Sequence, residues 1–387
     1  MATDLSAGLY EIPSELLEFR DAVRQIAREK IAPRAAEIDE TGEYPWDVRK
    51  ALAEADILGL PIEEQYGGIH MGTLMQQLAV EEIAKVCASS ALIQMIQELG
   101  SLPITLFGSD ELKQRFLPKI ATGEHSPAFA LSEPEAGSDP ASMKTTAVRD
   151  GDEWVLNGAK NWITNTSIAD FYVVFAKTDL ERNRITAFVV ESDRPGFSWG
   201  PLERKLGIKG SPTGSPVLQD VRVPQANVIG EVDKGLSVAL GTLERTRLGA
   251  AAQAVGIAQG AVDYATQYAK ERIAFGKPIA TFQGLQWKLA DAETRVAAAR
   301  ELLYKACSIV DNLPRGSREV GKWTSMAKLF ASDTAMAVTV DMLQVLGGYG
   351  YVKDYPMERF MRDAKITQIY EGTNEIQRVV ISRAMLG

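Results

Sequence analysis

A chain of 387 residues is longer than one hydrophobic core comfortably supports, so two or three domains are expected. With 45% hydrophobic and 24% charged residues, the composition is that of a soluble globular protein and excludes disordered and collagen-like chains. A formal charge of −9 argues against nucleic-acid binding and against attraction to anionic membrane surfaces.

No run of eighteen apolar residues appears, and Met1-Ala2-Thr3-Asp4-Leu5 lacks the basic and apolar regions of a signal peptide. The expectation is a cytoplasmic protein without membrane insertion. The 2 cysteines, Cys87 and Cys307, lie far apart in helical patterns and read as buried thiols without a disulfide. The 2 histidines, His70 and His125, stand alone, so no metal site and no Ser-His-Asp arrangement can be written. Proton chemistry in this chain would fall to a carboxylate.

Residues 1–127 read as an all-α domain. Leu16 to Ala35, Trp46 to Leu58, Thr73 to Leu99 and Glu111 to Ala121 carry apolar residues at helical spacing, with breaks at Pro33, Tyr44-Pro45, Tyr66-Gly67-Gly68 and Leu102-Pro103. Residues 128–231 switch to short alternating runs, with Asp150-Gly151 and Asn157-Gly158 as hairpin turns. Strands without intervening helices exclude a parallel nucleotide-binding sheet and predict a middle antiparallel β domain. From 232 to 387 the helical period returns in a bundle of long helices over Leu236–Arg272, Gln283–Leu313 and Arg318–Leu346. The fold class is α+β: N-terminal α-helical domain, antiparallel β domain, long-helix bundle.

Several stretches carry candidate chemistry. Gly316-Ser317-Arg318-Glu319-Val320-Gly321-Lys322 imitates a phosphate-binding loop, but Trp323 replaces the hydroxyl residue that would hold Mg²⁺, and a helix connection is the better reading. In Leu131-Ser132-Glu133-Pro134-Glu135-Ala136-Gly137-Ser138-Asp139, hydroxyls and amides suit a polar ring or phosphate, although an inter-domain loop has the same composition. Trp162 defaults to a core residue, yet an indole followed by Thr164 can also shield a planar cofactor. Arg272-Ile273-Ala274-Phe275-Gly276-Lys277 reads as a helix C-cap that can also bind phosphate. Near the C-terminus, Ile369-Tyr370-Glu371-Gly372-Thr373-Asn374-Glu375-Ile376-Gln377-Arg378 places a carboxylate on a short loop. There Asn374 is expected to cap the last helix with Gln377 as its reciprocal partner.

In chain order, Leu131 to Asp139, Asn157-Gly158 to Asn165, Lys205-Leu206-Gly207-Ile208-Lys209-Gly210-Ser211, Thr246-Arg247, Arg272 to Gly276, Gln344 to Gly350, and Met361-Arg362-Asp363-Ala364-Lys365 through Arg378 resemble the acyl-CoA dehydrogenase family. Each motif is weak alone; seven in order along nearly the whole chain are specific. The resemblance implies FAD as cofactor and Glu371 as the catalytic base. It implies FAD contacts at Phe129, Leu131, Ser132, Gly137, Ser138, Trp162, Ile163, Thr164, Thr373 and Glu375. Arg272, Phe275 and Gln283 correspond to contacts with the adenine dinucleotide, and Gln344, Gly347 and Gly348 to a neighbouring subunit's share of it. Ser138, Glu244, Thr246, Arg247, Tyr370 and Gly372 correspond to the acyl-CoA site.

The implied partners are an acyl-CoA substrate, an electron-transfer flavoprotein and further copies of the chain in a homo-oligomer, usually a tetramer. In some branches of the family the base stands on the long helix, where this chain has Thr246, so Glu371 aligns it with short-chain, medium-chain and branched short-chain members. Glu135 and Ala274 depart from the usual pattern. An acyl-CoA oxidase and a non-redox binding paralogue are the alternatives.

Overall fold

A computed structural model describes residues 12–314 and 316–387, so Met1–Leu5 lie outside the described residues. The helices are α1 (Ser14–Ile26), α2 (Ala35–Thr41), α3 (Trp46–Glu54), α4 (Thr73–Ala84), α5 (Ala88–Phe107), α6 (Asp110–Ala121), α7 (Gly235–Glu271), α8 (Gln283–Asn312), α9 (Arg318–Leu346), α10 (Met357–Ile366) and α11 (Asn374–Leu386). The strands are β1 (Pro127–Ala130), β2 (Thr146–Asp150), β3 (Glu153–Ala159), β4 (Ile163–Thr164), β5 (Phe171–Asp179), β6 (Arg184–Glu191), β7 (Phe197–Trp199), β8 (Thr213–Gly214), β9 (Pro216–Pro224), β10 (Val228–Ile229), β11 (Ile273–Ala274) and β12 (Lys277–Pro278).

The three long helices fall within a residue of their expected bounds, because an apolar face sustained over 29 to 37 residues outweighs local ambiguity. Three N-terminal breaks fall elsewhere. At Pro33 the chain stays helical through a π turn and a 3₁₀ turn into α2, since proline in a first turn gives up no hydrogen bond. Pro103 lies inside α5, where the helix runs on to Phe107. Thr73–Leu99 is divided instead at Lys85–Cys87, which leaves Cys87 extended at the start of α5 rather than within a helix. That turn lets α4 lie on α7 at van der Waals distance. A Cβ on Gly256 would come within 2.4 Å of the Glu81 carbonyl oxygen, and one on Gly260 within 2.1 Å of that of Lys85.

The sheet has strand order β10-β6-β5-β2-β3-β9-β7, with β1 added in parallel on β5. It is therefore mixed rather than purely antiparallel, because both β1 and β2 run parallel to β5. Asp150-Gly151 makes the β2–β3 hairpin as expected. Asn157-Gly158 does not turn. It lies in β3 at a register shift against β9, where a Cβ at position 158 would sit 2.4 Å from Thr145 Oγ1 and the Asn157 amide pairs with Asp220. Arg272 is the C-cap of α7 as expected, its amide donating to the Tyr268 carbonyl (2.8 Å), but the helix stops there rather than at Gly276, and Ile273–Pro278 forms the β11–β12 hairpin with Phe275 and Gly276 both at positive φ.

One apolar core runs through α1–α5 and α7–α10, so the N-terminal helices and the bundle share an interior although strands separate them in sequence. The two faces of the sheet carry the other cores, one of them closed by α6 and the start of α7. Among the described residues, Arg318–Tyr351 is the one helical span long and apolar enough to cross a membrane; here it packs as the inner helix of the bundle against α7, α8, α10 and α11. Cys87 and Cys307 are free and buried.

Candidate active site

The loop between α10 and α11 holds Glu371 in the left-handed region (φ 56°), followed by Gly372 (φ 85°). A glutamate costs roughly 1 kcal/mol or more there, so the surroundings must enforce it. They do so through the backbone: Gln377 Nε2 donates to the carbonyls of Glu371 (3.2 Å) and Gly372 (2.8 Å), and Lys328 Nζ donates to that of Gly372 (2.8 Å). A side chain on Gly372 would be strained at its positive φ and would displace Gln377 Nε2, which lies 2.8 Å from the Cβ position, from its place against the loop carbonyls.

The cap of α11 differs from expectation. Thr373 is the N-cap, its Oγ1 accepting from the Ile376 amide at 3.4 Å, while Asn374 is buried against Ser332, Asp333 and Lys328. Gln377 is turned inward, where it clamps the Glu371 loop instead of closing a capping box.

The Glu371 carboxylate is half-buried and accepts from Thr246 Oγ1 at 3.0 Å. Thr246 and Glu371, the two positions that the resemblance marks for a base, stand 125 residues apart in sequence and meet here at one point. Burial raises the Glu371 pKa, opposed by Thr246 and by the charges of Arg247 and Lys328. Arg247 is buried but engaged with Ser325, Gln377 Oε1 (3.0 Å) and the Leu243 carbonyl (2.9 Å), so it acts on Glu371 through space. Burial lowers Lys328 to about 7, with Glu371 as the main opposing influence. Tyr370 donates to Gln253 Oε1 on α7. Glu244 points to the first turn of α9, its carboxyl close to the Gly321 backbone.

A second cluster lies on the β domain. Leu131 is buried, Ser132 is half-buried, and Gly137 and Ser138 are exposed. Trp162 is no core residue: its indole is 61% exposed at φ 62°. Ile163 is buried beneath it, and Thr164 pairs with Thr213. The Asn161 amide donates to the Ser132 carbonyl (2.9 Å), joining the loop to the tryptophan. Phe129 packs inward on Phe175.

Under this cluster lies a charge pair that the sequence patterns did not mark. Lys160 is fully buried, and its Nζ donates to Glu133 Oε1 (2.8 Å), the Phe175 carbonyl (2.7 Å) and the Leu131 carbonyl (3.3 Å). Glu133 also accepts from the amides of Lys144 and Thr145. By contrast, Glu135 makes only an exposed ion pair with Lys144.

The third cluster is a surface cavity of about 550 Å³ lined by Tyr268, Arg272, Gln344, Gly347, Gly348 and Tyr349, among others. Arg272 lies 4.9 Å from the Tyr349 ring centroid, and Gly347 and Gly348 have open space where side chains would stand. Arg272, expected in one share of the cofactor site, and Gln344, Gly347 and Gly348, expected in the other, thus line one cavity on one chain, whereas Phe275 and Gln283 do not line it. Phe275 is 94% exposed beside Phe282, the residue preceding Gln283. Glu375 is exposed on the first turn of α11.

Sequence reasoning also missed Glu98 on α5. Burial, and next the charge of Glu371, push its pKa up to about 8. The folded protein therefore keeps a proton that the unfolded chain releases between about pH 4.5 and 8, and stability falls as pH rises through that window, by up to ~4 kcal/mol. Urea unfolding measured across this range should show Glu98→Gln with a flatter profile and greater stability at pH 8. Parallel profiles for the two proteins would refute this reading.

Three family models match the chain in order: acyl-CoA dehydrogenase N-terminal domain (residues 13–124), middle domain (128–221) and C-terminal domain (233–386). The chain belongs to the acyl-CoA dehydrogenase family, a family of flavoprotein oxidoreductases. It is 49% identical over 383 residues to the probable acyl-CoA dehydrogenase FadE25 of Mycobacterium tuberculosis, covering 98% of each chain. Among solved structures, butyryl-CoA dehydrogenase from Megasphaera elsdenii superposes with a TM-score of 0.94 at 41% identity, covering 98% of this chain and 100% of that one. An acyl-CoA dehydrogenase complexed with FAD from Bacillus anthracis gives a TM-score of 0.90 at 34% identity, over 97% of this chain and 67% of that one.

Proposed function

We propose that this chain oxidises an acyl-CoA thioester between Cα and Cβ to the trans-2-enoyl-CoA, with Glu371 removing the α-proton. The observation that carries this reading is the carboxylate held in a strained loop, half-buried, with its pKa raised and a hydroxyl fixing its direction. A weakly acidic C–H needs a base strengthened by desolvation and a polarised carbonyl. Desolvation is visible in the pKa shift; by family analogy the backbone N–H of Glu371 is one donor to the thioester oxygen. Arg247 and Lys328, both near but engaged elsewhere, oppose the rise.

The residues present suit FAD. The exposed indole of Trp162, the Ser132 and Thr164 hydroxyls and the backbone around Gly137 offer one flat surface and polar edges, and the glycine-floored cavity beside Arg272 suits a phosphate-bearing nucleotide. When bound, FAD supplies the hydride acceptor that an unactivated Cβ–H bond requires. Exposed apolar side chains on the bundle, Trp287, Phe330, Val340 and Leu386, support a homo-oligomer, read as a tetramer by family analogy. Electron transfer to an electron-transfer flavoprotein belongs to the same reading.

The purified protein should be yellow and should bleach anaerobically on addition of an acyl-CoA. A colourless protein, or a yellow one that no acyl-CoA bleaches, contradicts this function. Stoichiometric peroxide on re-aeration with sustained turnover would assign it to the oxidases.

A further inference from the structure

Behind the Glu371 loop stands a lysine with no anion bonded to it. Lys328, in the middle of α9, is wholly buried, and its Nζ donates to the carbonyl of Gly372 (2.8 Å), the residue after Glu371, and to Asn374 Oδ1 (2.9 Å). Both acceptors are held from elsewhere: Gln377 Nε2 donates to the same carbonyl (2.8 Å), and the Asn374 amide donates to Ser332 Oγ (2.9 Å) and Asp333 Oδ1 (2.7 Å). Among the described residues no carboxylate oxygen lies within 4.0 Å of Lys328 Nζ, whereas Lys160 has Glu133 at 2.8 Å. A buried ammonium without a paired anion is costly, and it brings three N–H groups to these two acceptors; a neutral amine brings two. The charges that act on Lys328 through space are Glu371, Arg247 on α7, Asp333 on α9 and Glu375 at the start of α11, and Glu371 in turn feels Lys328 and Arg247. Arg247 keeps its proton at physiological pH, while burial brings Lys328 down to about 7. Of the two cations beside the base, Lys328 is the one whose charge can change.

On the dehydrogenase reading above, we propose that Lys328 is a positioning residue for Glu371: it holds the loop whether charged or neutral, and its charge sets how strong a base the carboxylate is. As an ammonium it favours the ionised carboxylate and so weakens it as a base. As an amine it keeps both hydrogen bonds, and the carboxylate takes up a proton more readily. Removal of the α-proton therefore quickens as the pH rises through about 7, with the loop in place. Glu98 on α5 also acts on Glu371 and loses its proton near the upper end of the same range, which changes the rate in the same direction. Variants of Lys328 compared with wild type at one pH share that contribution, so the comparison isolates the lysine.

The test uses the holoenzyme with saturating butyryl-CoA or hexanoyl-CoA, following anaerobic flavin bleaching by stopped flow at about pH 6 and pH 9 in wild type, Lys328→Arg and Lys328→Met. Arginine keeps the charge at both values, so the shortfall of Lys328→Arg against wild type should widen by ~5-fold or more between them. Methionine removes the charge but leaves the loop carbonyls to Gln377, so the shortfall of Lys328→Met should stay constant or narrow. A second measurement needs no substrate. The folded protein lacks a proton above about pH 7 that the unfolded chain holds up to about 10.5, so in urea wild type should gain on Lys328→Met as the pH rises through that window. An unchanging gap in urea, shortfalls in both variants that do not vary with pH, or a shortfall that widens in Lys328→Met overturns the proposal and leaves the dehydrogenase reading standing. Bleaching by neither thioester at any pH overturns both.

Discussion

Glu371→Gln is expected to retain flavin and acyl-CoA binding and to lose substrate-dependent bleaching, with turnover reduced by ~10²–10⁴-fold or more. The amide keeps the shape of the side chain and can still accept from Thr246, so the 3.0 Å hydrogen bond and the loop clamped by Gln377 and Lys328 should survive. What disappears is a group able to take a proton. Because Thr246 Oγ1 touches the carboxylate, the same point in space can be reached from α7. Glu371→Gly combined with Thr246→Glu should recover about tenfold over Glu371→Gly alone, and glycine also relieves the positive φ. Stopped-flow bleaching decides both points. Wild-type turnover in Glu371→Gln would remove this residue from the chemistry.

The largest stability effect is expected from Lys160→Met. Methionine fills most of the volume but leaves the Glu133 charge buried with only the Lys144 and Thr145 amides, and abandons the Leu131 and Phe175 carbonyls. Breaking one side of a buried pair costs ~3–5 kcal/mol, whereas removing both charges costs much less. Lys160→Met with Glu133→Gln should therefore regain part of the loss, a non-additivity that a double-mutant cycle measures directly. Since Lys160 holds the carbonyl of Leu131 at the start of the loop beside Trp162, the single variant should also purify with less flavin. Denaturant unfolding followed by circular dichroism, with flavin counted by absorbance, gives both numbers. A cost under ~1 kcal/mol would mean that the pair is dispensable.

Turn chemistry was the least dependable signal in the sequence. Asp150-Gly151 and Asn157-Gly158 carry equivalent hairpin signatures, yet only the first turns, because the second glycine is demanded by close packing on Thr145. Pro103 and the Gln377 cap failed for a related reason: tertiary packing outweighed a local preference of about 3 kcal/mol at the proline and about 1 kcal/mol at the cap. Burial of single residues was also misjudged, since Trp162 stands out of the sheet while Lys160, two positions earlier, is wholly inside.

By itself the sequence determined the α, β, α order, the extents of the long helices and the glutamate in the Tyr370-Glu371-Gly372 segment, because these depend on periodicity and on residues near one another in the chain. Only the tertiary structure decided that Thr246 and Glu371 meet, that Arg272 and Gln344–Gly348 share one cavity, and that Lys160 and Glu133 pair inside the β domain. Such contacts join positions on separate elements, and their energies come from burial and pairing, neither of which exists until the chain is folded.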